Sequence, residues 1–225
     1  MPKWLQLMMD SFWPLLQAGV AFTVPLTLLS FAGGLAVAFL TALARLYGSA
    51  PLRNCARFYV WVIRGTPLLV QLFLIFYGLP SVGIVLDSFP AAFLGLVLNV
   101  GAYMSETMRA AISSIPKGQW EASFSIGMGW TQALRRTILP QAARVATPSL
   151  ANTFISLVKD TSMAAALTVP EMFHAAQQIA AVTYEPLILY SEVALIYLLF
   201  SSVLSALQTR LEKRLAVHVA AEAVS

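Results

Sequence analysis

The stretch KGQWEASFSIGMGWTQALRRTILP, residues 117–140, lies in the longest polar segment of the chain, residues 113–144. Trp120, Phe124 and Met128 follow one another at four-residue intervals, and the same spacing returns after the Gly-Met-Gly break. The later set is Trp130, Leu134 and Ile138. This spacing predicts two short amphipathic helices joined by a glycine turn, the second of them ended by Pro140. The pattern alone fits either a helix pair lying on lipid headgroups or a docking site for a partner.

The composition of the whole chain predicts an all-α integral membrane protein. Of the 225 residues, 59% are hydrophobic and only 11% are charged, whereas about 25% of a soluble domain is charged. Such a chain has too little polar surface to cover a globule in water. One cysteine excludes an internal disulfide, and two histidines, His174 and His218, are too few for a dense metal cluster. We therefore predict no metal site and no catalytic residues, and we place both histidines at the surface.

Five apolar runs follow one another within a single domain, residues 1–225. The runs are 15–44, 58–79, 89–111, 146–169 and 187–208, and each is long enough for one helical crossing of a hydrocarbon core of about 30 Å. Eleven of the 14 basic residues fall in the gaps on one side of such a bundle: Arg45, Arg53, Arg57, Arg109, Lys117, Arg135, Arg136, Arg144, Arg210, Lys213 and Arg214. The positive-inside rule predicts an amino terminus outside and a carboxyl terminus inside. Basic residues spread in this way do not indicate a nucleic-acid partner.

The polar segment also carries a resemblance to a known family. Glu121-Ala122-Ser123, then Gly127, then Leu139-Pro140 resembles the cytoplasmic signature of ABC-importer permeases. Two positions depart from that pattern, because Ser123 replaces its second alanine and Thr137 replaces an isoleucine. In this family the loop forms a coupling helix that inserts into a groove of the ATPase subunit. The resemblance therefore implies an ATPase-coupling role for Glu121, Ala122, Ser123, Gly127, Leu139 and Pro140.

Further segments are similar to the polar amino-acid branch of these permeases. They are RGTPLLVQLF at 64–73, GAY at 101–103 and LVKDTS at 157–162, while FYGLP at 76–80 is most similar to the L-cystine permeases of the branch. The resemblance implies a type I importer transmembrane domain in a bacterial inner membrane, surrounded by lipid. L-cystine is the expected substrate, and glutamine, arginine and histidine are the alternatives. A secondary transporter is the competing class.

The same resemblance implies partner proteins. They are a cytoplasmic ABC ATPase dimer, a second permease copy that forms a homodimer, and a periplasmic solute-binding protein. The chain has no Gly-x-x-x-x-Gly-Lys-Ser/Thr phosphate loop. We therefore expect it to bind no cofactor, with ATP-Mg held by the partner subunit.

Ionisable residues fall within or at the edge of the apolar runs. The four singled out as candidates are Arg64, Glu106, Lys159 and Asp160, while Arg109 and Glu192 also fall within runs. A charge at mid-helix costs about 2.5–3.5 kcal/mol on insertion scales. Such residues need partners or water, so we predict that they line the bundle interior. Beside an amino-acid substrate they offer both signs of charge, with Thr161 and Ser162 as neutral donors. The alternative is that these charges only brace helices or extend to the membrane surface.

Overall fold

The computed structural model describes the backbone of residues 2–222 and the side chains of residues 2–210, 212 and 213. The predicted positions Arg214 and His218 have side chains outside the described residues. Every regular element in the described part is a helix, which confirms the all-α prediction. The α-helices, α1 to α10, are Lys3–Ala18, Val24–Tyr47, Ala50–Gly65, Leu68–Phe73, Ser88–Ser113, Lys117–Ser125, Trp130–Ala133, Leu139–Asp160, Met172–Thr183 and Pro186–Glu222.

Several helices are joined without a loop. The π-helical turn Gly19–Thr23 connects α1 to α2, and the π-helical turn Leu134–Ile138 connects α7 to α8. After α4 the chain continues through a π-helical turn, Leu74–Gly78, into a 3-10 helix, Leu79–Val82. A second 3-10 helix, Thr161–Leu167, extends α8.

Three stretches of the described chain are long and apolar enough to cross a membrane: Lys3–Tyr47, Ser88–Ser113 and Pro186–Arg210. A fourth is a bent pair, α3 with Leu68–Val82, whose two parts meet at 109°. The predicted second span, 58–79, is therefore broken at Thr66 and Pro67, where proline restricts the backbone and has no N–H to donate. Helix α8 is not among these candidates, because polar residues recur along it.

The prediction for Pro140 is wrong. It stands in the first turn of α8, directly after the π-helical turn Leu134–Ile138. The Leu139 N–H already bonds to the carbonyl five residues back, at Leu134, so the missing N–H of Pro140 falls where the helical hydrogen-bond pattern changes. The chain stays helical from Trp130 through the π-helical turn to Asp160. One continuous helical segment therefore connects the polar segment to the rest of the bundle.

Helices α2 and α5 form the closest pair. A Cβ atom built on Gly33 would lie 2.8 Å from a methyl of Val97, and one on Gly101 would lie 2.8 Å from a methyl of Val37. Ordinary side chains do not fit at such separations, so the glycines allow the two backbones to approach. The pair forms much of the central core, with Leu26, Leu96 and Met104 fully buried.

Candidate functional site

The break between α3 and α4 is closed by one amide side chain. Gln71 Nε2 lies 2.7 Å from the carbonyl oxygen of Ile63, 3.1 Å from that of Thr66 and 2.8 Å from the Thr66 hydroxyl. Its own oxygen accepts from Asn99 Nδ2 of α5 at 3.0 Å. Gln71 and Asn99 are both buried. Carbonyl groups freed by the break are therefore satisfied inside the protein, which a membrane interior requires.

A polar cavity of about 480 Å³ opens beside this break. Thr66 and Pro67 form one wall, Asn99 and Tyr103 of α5 form another, and α8 supplies the rest. Four other cavities, of about 280–540 Å³, are lined mainly by apolar side chains. The polar cavity falls within the usual volume range for small-molecule sites.

Helix α8 contributes a polar stripe to the cavity. Its members are Ser149, Asn152, Thr153, Ser156 and Asp160, at spacings of three and four residues that bring them onto one helix face. Sequence reasoning singled out Asp160 and missed the other four. The helical spacing of small polar residues inside an apolar run was the signal that marked them.

Glu106 joins three helices through arginines. It accepts a hydrogen bond from Arg45 of α2, and Arg109 of its own helix donates to it at 3.0 Å. Arg64, at the end of α3, brings a guanidinium nitrogen to 3.6 Å from the same carboxylate. Three cations surround one anion here, so this cluster carries a net positive charge.

Arg64 also connects this cluster to the cavity. Its guanidinium carbon lies 5.3 Å from the ring centroid of Tyr103, a cavity-lining residue, within range of a cation–π interaction. The Arg64 side chain is 44% exposed. The guanidinium of Arg64 is therefore not enclosed by its contacts with Glu106 and Tyr103.

The remaining predicted pathway residues lie elsewhere. Lys159 is exposed and does not line the polar cavity. Thr161 is fully buried and donates to the Val158 carbonyl at 2.7 Å, while Ser162 donates to the Lys159 carbonyl at 2.6 Å. Both hydroxyls satisfy carbonyls at the end of α8.

A second carboxylate, Glu171, is buried at the start of α9. It accepts from the Tyr197 hydroxyl and the His174 N–H, both at 2.7 Å, and from the Thr23 hydroxyl at 3.5 Å. Burial raises the pKa of the Glu171 carboxyl, and these hydrogen bonds offset part of that rise. All of its partners are neutral, so this contact joins α1–α2, α9 and α10 without an ion pair.

The polar segment forms the first predicted short helix, α6, and the predicted glycine turn, while the second predicted helix continues through the π-helical turn into α8. Gly127 has φ of 80°, and its N–H donates to the Phe124 carbonyl while the Met128 N–H donates to the Ser123 carbonyl. These two bonds define a Schellman motif, which ends α6 and favours glycine at the left-handed residue. The positive φ at this position therefore explains why glycine stands at residue 127 in the signature.

One side of α6 is free. Glu121 and Ala122 are exposed, Phe124 is 46% exposed and Ile126 is 74% exposed. The other side packs on an aromatic group, in which Trp120 and Trp130 lie 6.3 Å apart and Tyr47 of α2 meets Trp130 at 4.7 Å, measured between ring centroids. The segment is therefore attached to the end of α2 and still presents an open apolar and acidic surface.

The family follows from a match over most of the chain. The family described as the binding-protein-dependent transport system inner membrane component matches residues 34–217. The chain belongs to this permease family. It is a non-catalytic, multi-pass inner-membrane subunit of an ABC importer, which confirms the predicted family and location.

Relatives of this permease act on amino acids. It is 52% identical to the L-cystine transport system permease protein TcyB of Bacillus subtilis, over 95% of this chain and 92% of that protein. It is 37% identical to the glutamine transport system permease protein GlnP of Escherichia coli, over 91% and 94%. A solved amino acid ABC transporter with histidines matches with a TM-score of 0.86 and 33% identity, over 92% of this chain and 96% of that chain. This permease is therefore an amino-acid ABC permease with a type I importer fold.

Proposed function

We propose that this permease carries L-cystine inward, driven by ATP hydrolysis on a separate subunit. The observation that carries the proposal is the 52% identity to an L-cystine permease over 95% of the chain. Glutamine, arginine and histidine stay as alternative substrates, since a glutamine permease is 37% identical over a similar length.

The polar cavity is the proposed substrate path. Asp160 offers an anion for the substrate ammonium group, and the stripe on α8 offers hydroxyl and amide partners. Arg64 supplies a cation for a carboxylate from beside Tyr103. Glu106 holds Arg64 near the cavity. The Thr161 and Ser162 hydroxyls hold the end of α8, so we give these two residues positioning roles in this path. Lys159, exposed beside Asp160, is proposed as a cation at the edge of the path.

A substrate competition experiment tests this assignment. Proteoliposomes with the permease, its ATPase and its binding protein should take up labelled L-cystine when ATP is enclosed with the ATPase. Excess unlabelled glutamine, arginine or histidine should leave that uptake unchanged. Uptake of one of these three in place of cystine contradicts the substrate, and uptake that persists without ATP contradicts the importer mechanism.

The proposed topology has five crossings, with α8 and its 3-10 extension as the fourth. The amino terminus then lies outside and the carboxyl terminus inside, as the basic residues predict. Polar residues on α8 are compatible with a crossing because they face a cavity rather than lipid. Reporter fusions should place residue 130 in the cytoplasm and residue 178 outside, and reversed signals contradict this arrangement.

The exposed side of α6 is the proposed contact with the ATPase dimer, which binds ATP-Mg. Its apolar residue Ile126 and acidic residue Glu121 suit insertion into a groove on another protein. The remaining partners are a second copy of the permease and a periplasmic binding protein. A Cys55→Ser, Ile126→Cys permease should cross-link to the ATPase within the assembled complex, whereas cross-linking only to lipid contradicts the contact.

A further inference from the structure

Two pairs of polar side chains connect α6 to the base of α8. The Ser123 hydroxyl is hydrogen-bonded to the Thr137 hydroxyl at 3.0 Å, and Gln141 Nε2 donates to Gln119 Oε1 at 3.0 Å. The members of each helix are one turn apart, since Gln119 precedes Ser123 by four residues and Thr137 precedes Gln141 by four. The pairs form a two-rung ladder, which we call the polar ladder.

Each side of the polar ladder is also bound to its own backbone. The Ser123 hydroxyl lies 2.8 Å from the Gln119 carbonyl oxygen, and Gln141 Nε2 also donates to the Thr137 carbonyl at 2.9 Å. These bonds limit the rotamers of both side chains. Ser123 is only 4% exposed, so water competes little for its hydrogen bond.

The Ser123–Thr137 pair of the polar ladder contains both departures from the family signature. Ser123 and Thr137 replace an alanine and an isoleucine, and the structure brings these two positions into direct contact. A hydrogen bond fixes distance and orientation, which an apolar contact does not. The two departures are therefore joined by one directional contact.

The polar ladder lies where movement of α6 enters the bundle. Helix α6 packs on α7 and on the π-helical turn that contains Thr137. Gln141 is in the first turn of α8, and the cavity stripe begins eight residues later, about 12 Å along the helix axis. Helix α8 therefore connects Gln141 of the polar ladder to Asp160, and Pro148 lies inside it, one residue before the stripe begins.

We propose that the polar ladder is a coupling clamp, which transmits displacement of α6 to α8 and so to the cavity. Its residues are positioning residues, because none of them lines the polar cavity. The inference rests on the proposed function, in which an ATPase engages α6. It adds the route by which that engagement reaches the substrate path.

The test uses the complete transporter with its ATPase and binding protein. Ser123→Ala and Thr137→Val each remove one hydroxyl and change side-chain volume little. Either change should lower the number of substrate molecules carried per ATP hydrolysed by roughly three- to ten-fold, the range that one hydrogen bond supports. The double variant should be no worse than either single variant, because both remove the same bond.

Matched controls and rescue separate clamping from folding. Ser125→Ala removes a hydroxyl that bonds only within α6, and Thr147→Val removes one that bonds only within α8. Both should keep the wild-type transport ratio. Ser123→Thr and Thr137→Ser keep a hydroxyl at each position and should recover most of the ratio. Copurification of the ATPase should be unchanged throughout.

The outcomes divide clearly. A wild-type transport ratio in Ser123→Ala and Thr137→Val contradicts the clamp, and so does an equal loss in Ser125→Ala. Additive losses in the double variant contradict a shared bond. Failure of the proposed function looks different, since wild-type transporter would then show no ATP-driven uptake of an amino acid.

Discussion

The two ends of α2 hold carboxylates of opposite character. At the carboxyl end, Glu106 lies among Arg45, Arg64 and Arg109, and its side chain is 24% exposed. At the amino end, fully buried Glu171 accepts bonds only from neutral donors, including the Thr23 hydroxyl. Thr23 and Arg45 are 22 residues apart, about 33 Å along a helix. One carboxylate therefore lies among cations and is partly exposed, and the other lies among neutral donors and is fully buried.

This difference predicts different mechanical roles. Ion pairs near water exchange partners at little cost, because solvent replaces each lost contact. A buried acid with three neutral donors has no such replacement, and breaking its contacts leaves polar groups without partners. We infer that the Glu106 end allows rearrangement during transport, whereas the Glu171 end is a fixed support.

The largest effect should come from removing the buried carboxylate. Glu171→Ala leaves the Tyr197 hydroxyl and the His174 N–H without an acceptor and creates a cavity. We expect a loss of about 3 kcal/mol or more in the free energy of unfolding. Thermal melting of the purified complex measures it, with exposed Glu185→Ala as the control. Equal melting temperatures of the two variants contradict the support role.

A smaller loss of stability, with a larger loss of transport, is expected at the other end. Glu106→Gln removes the negative charge that attracts three arginines. Each of the three contacts stabilises the folded state by about 1.5–3 kcal/mol at most. Water compensates part of this loss, so the complex should assemble and melt only slightly lower. Uptake should fall about ten-fold or more, because the Glu106 carboxylate no longer draws Arg64 toward Tyr103 and the cavity. Unchanged uptake contradicts a role for this cluster in transport.

Ionic strength should affect the Glu106 and Glu171 contacts differently, and this test needs no mutation at Glu171. Raising ionic strength from 0.1 to 1 M shortens the screening length from about 10 to about 3 Å. The Glu106 cluster should weaken by about 1 kcal/mol or less, and the neutral contacts of Glu171 should not respond. The melting temperature of wild-type complex should therefore fall more with salt than that of Glu106→Gln. A larger salt response in Glu106→Gln is the contrary result.

The smallest effect should come from Arg64→Lys. Lysine keeps the positive charge but loses the planar group that faces Tyr103. The loss should be about 0.5–1 kcal/mol, seen as a two- to five-fold rise in the substrate concentration for half-maximal uptake. Arg109→Lys, on the same cluster but away from the cavity, is the control. A similar rise in both variants contradicts a specific role for Arg64.

Sequence predicted the parts of this fold that depend on local patterns. The predicted run 89–111 corresponds to α5, Ser88–Ser113, because Pro90 falls in the first turn, where proline is tolerated, and no further proline follows within the helix. The short helix α6 and the turn at Gly127 followed from apolar spacing and the glycine break, whereas the predicted end of the next helix at Pro140 did not appear. Periodicity and a positive φ are properties of neighbouring residues, so a sequence records them directly.

Contacts between distant segments were not predictable in the same way. Arg45 was counted only among the basic residues that set orientation, yet it pairs with Glu106, 61 residues away. Gln71 donates to carbonyl groups that the 109° bend after α3 leaves free. Asn99 of α5 holds the Gln71 side chain in that position by a hydrogen bond. Such partners are chosen by packing, and the pattern along the chain does not reveal them.

The close approach of α2 and α5 has a consequence for how the permease changes shape. Glycine allows these backbones to touch, and interlocked methyl groups such as those of Val37 and Val97 resist sliding. We therefore expect α2 and α5 to move together as one rigid unit. Spin labels on the two helices should report one constant separation with and without nucleotide, and the swing of every other helix is then measurable against them.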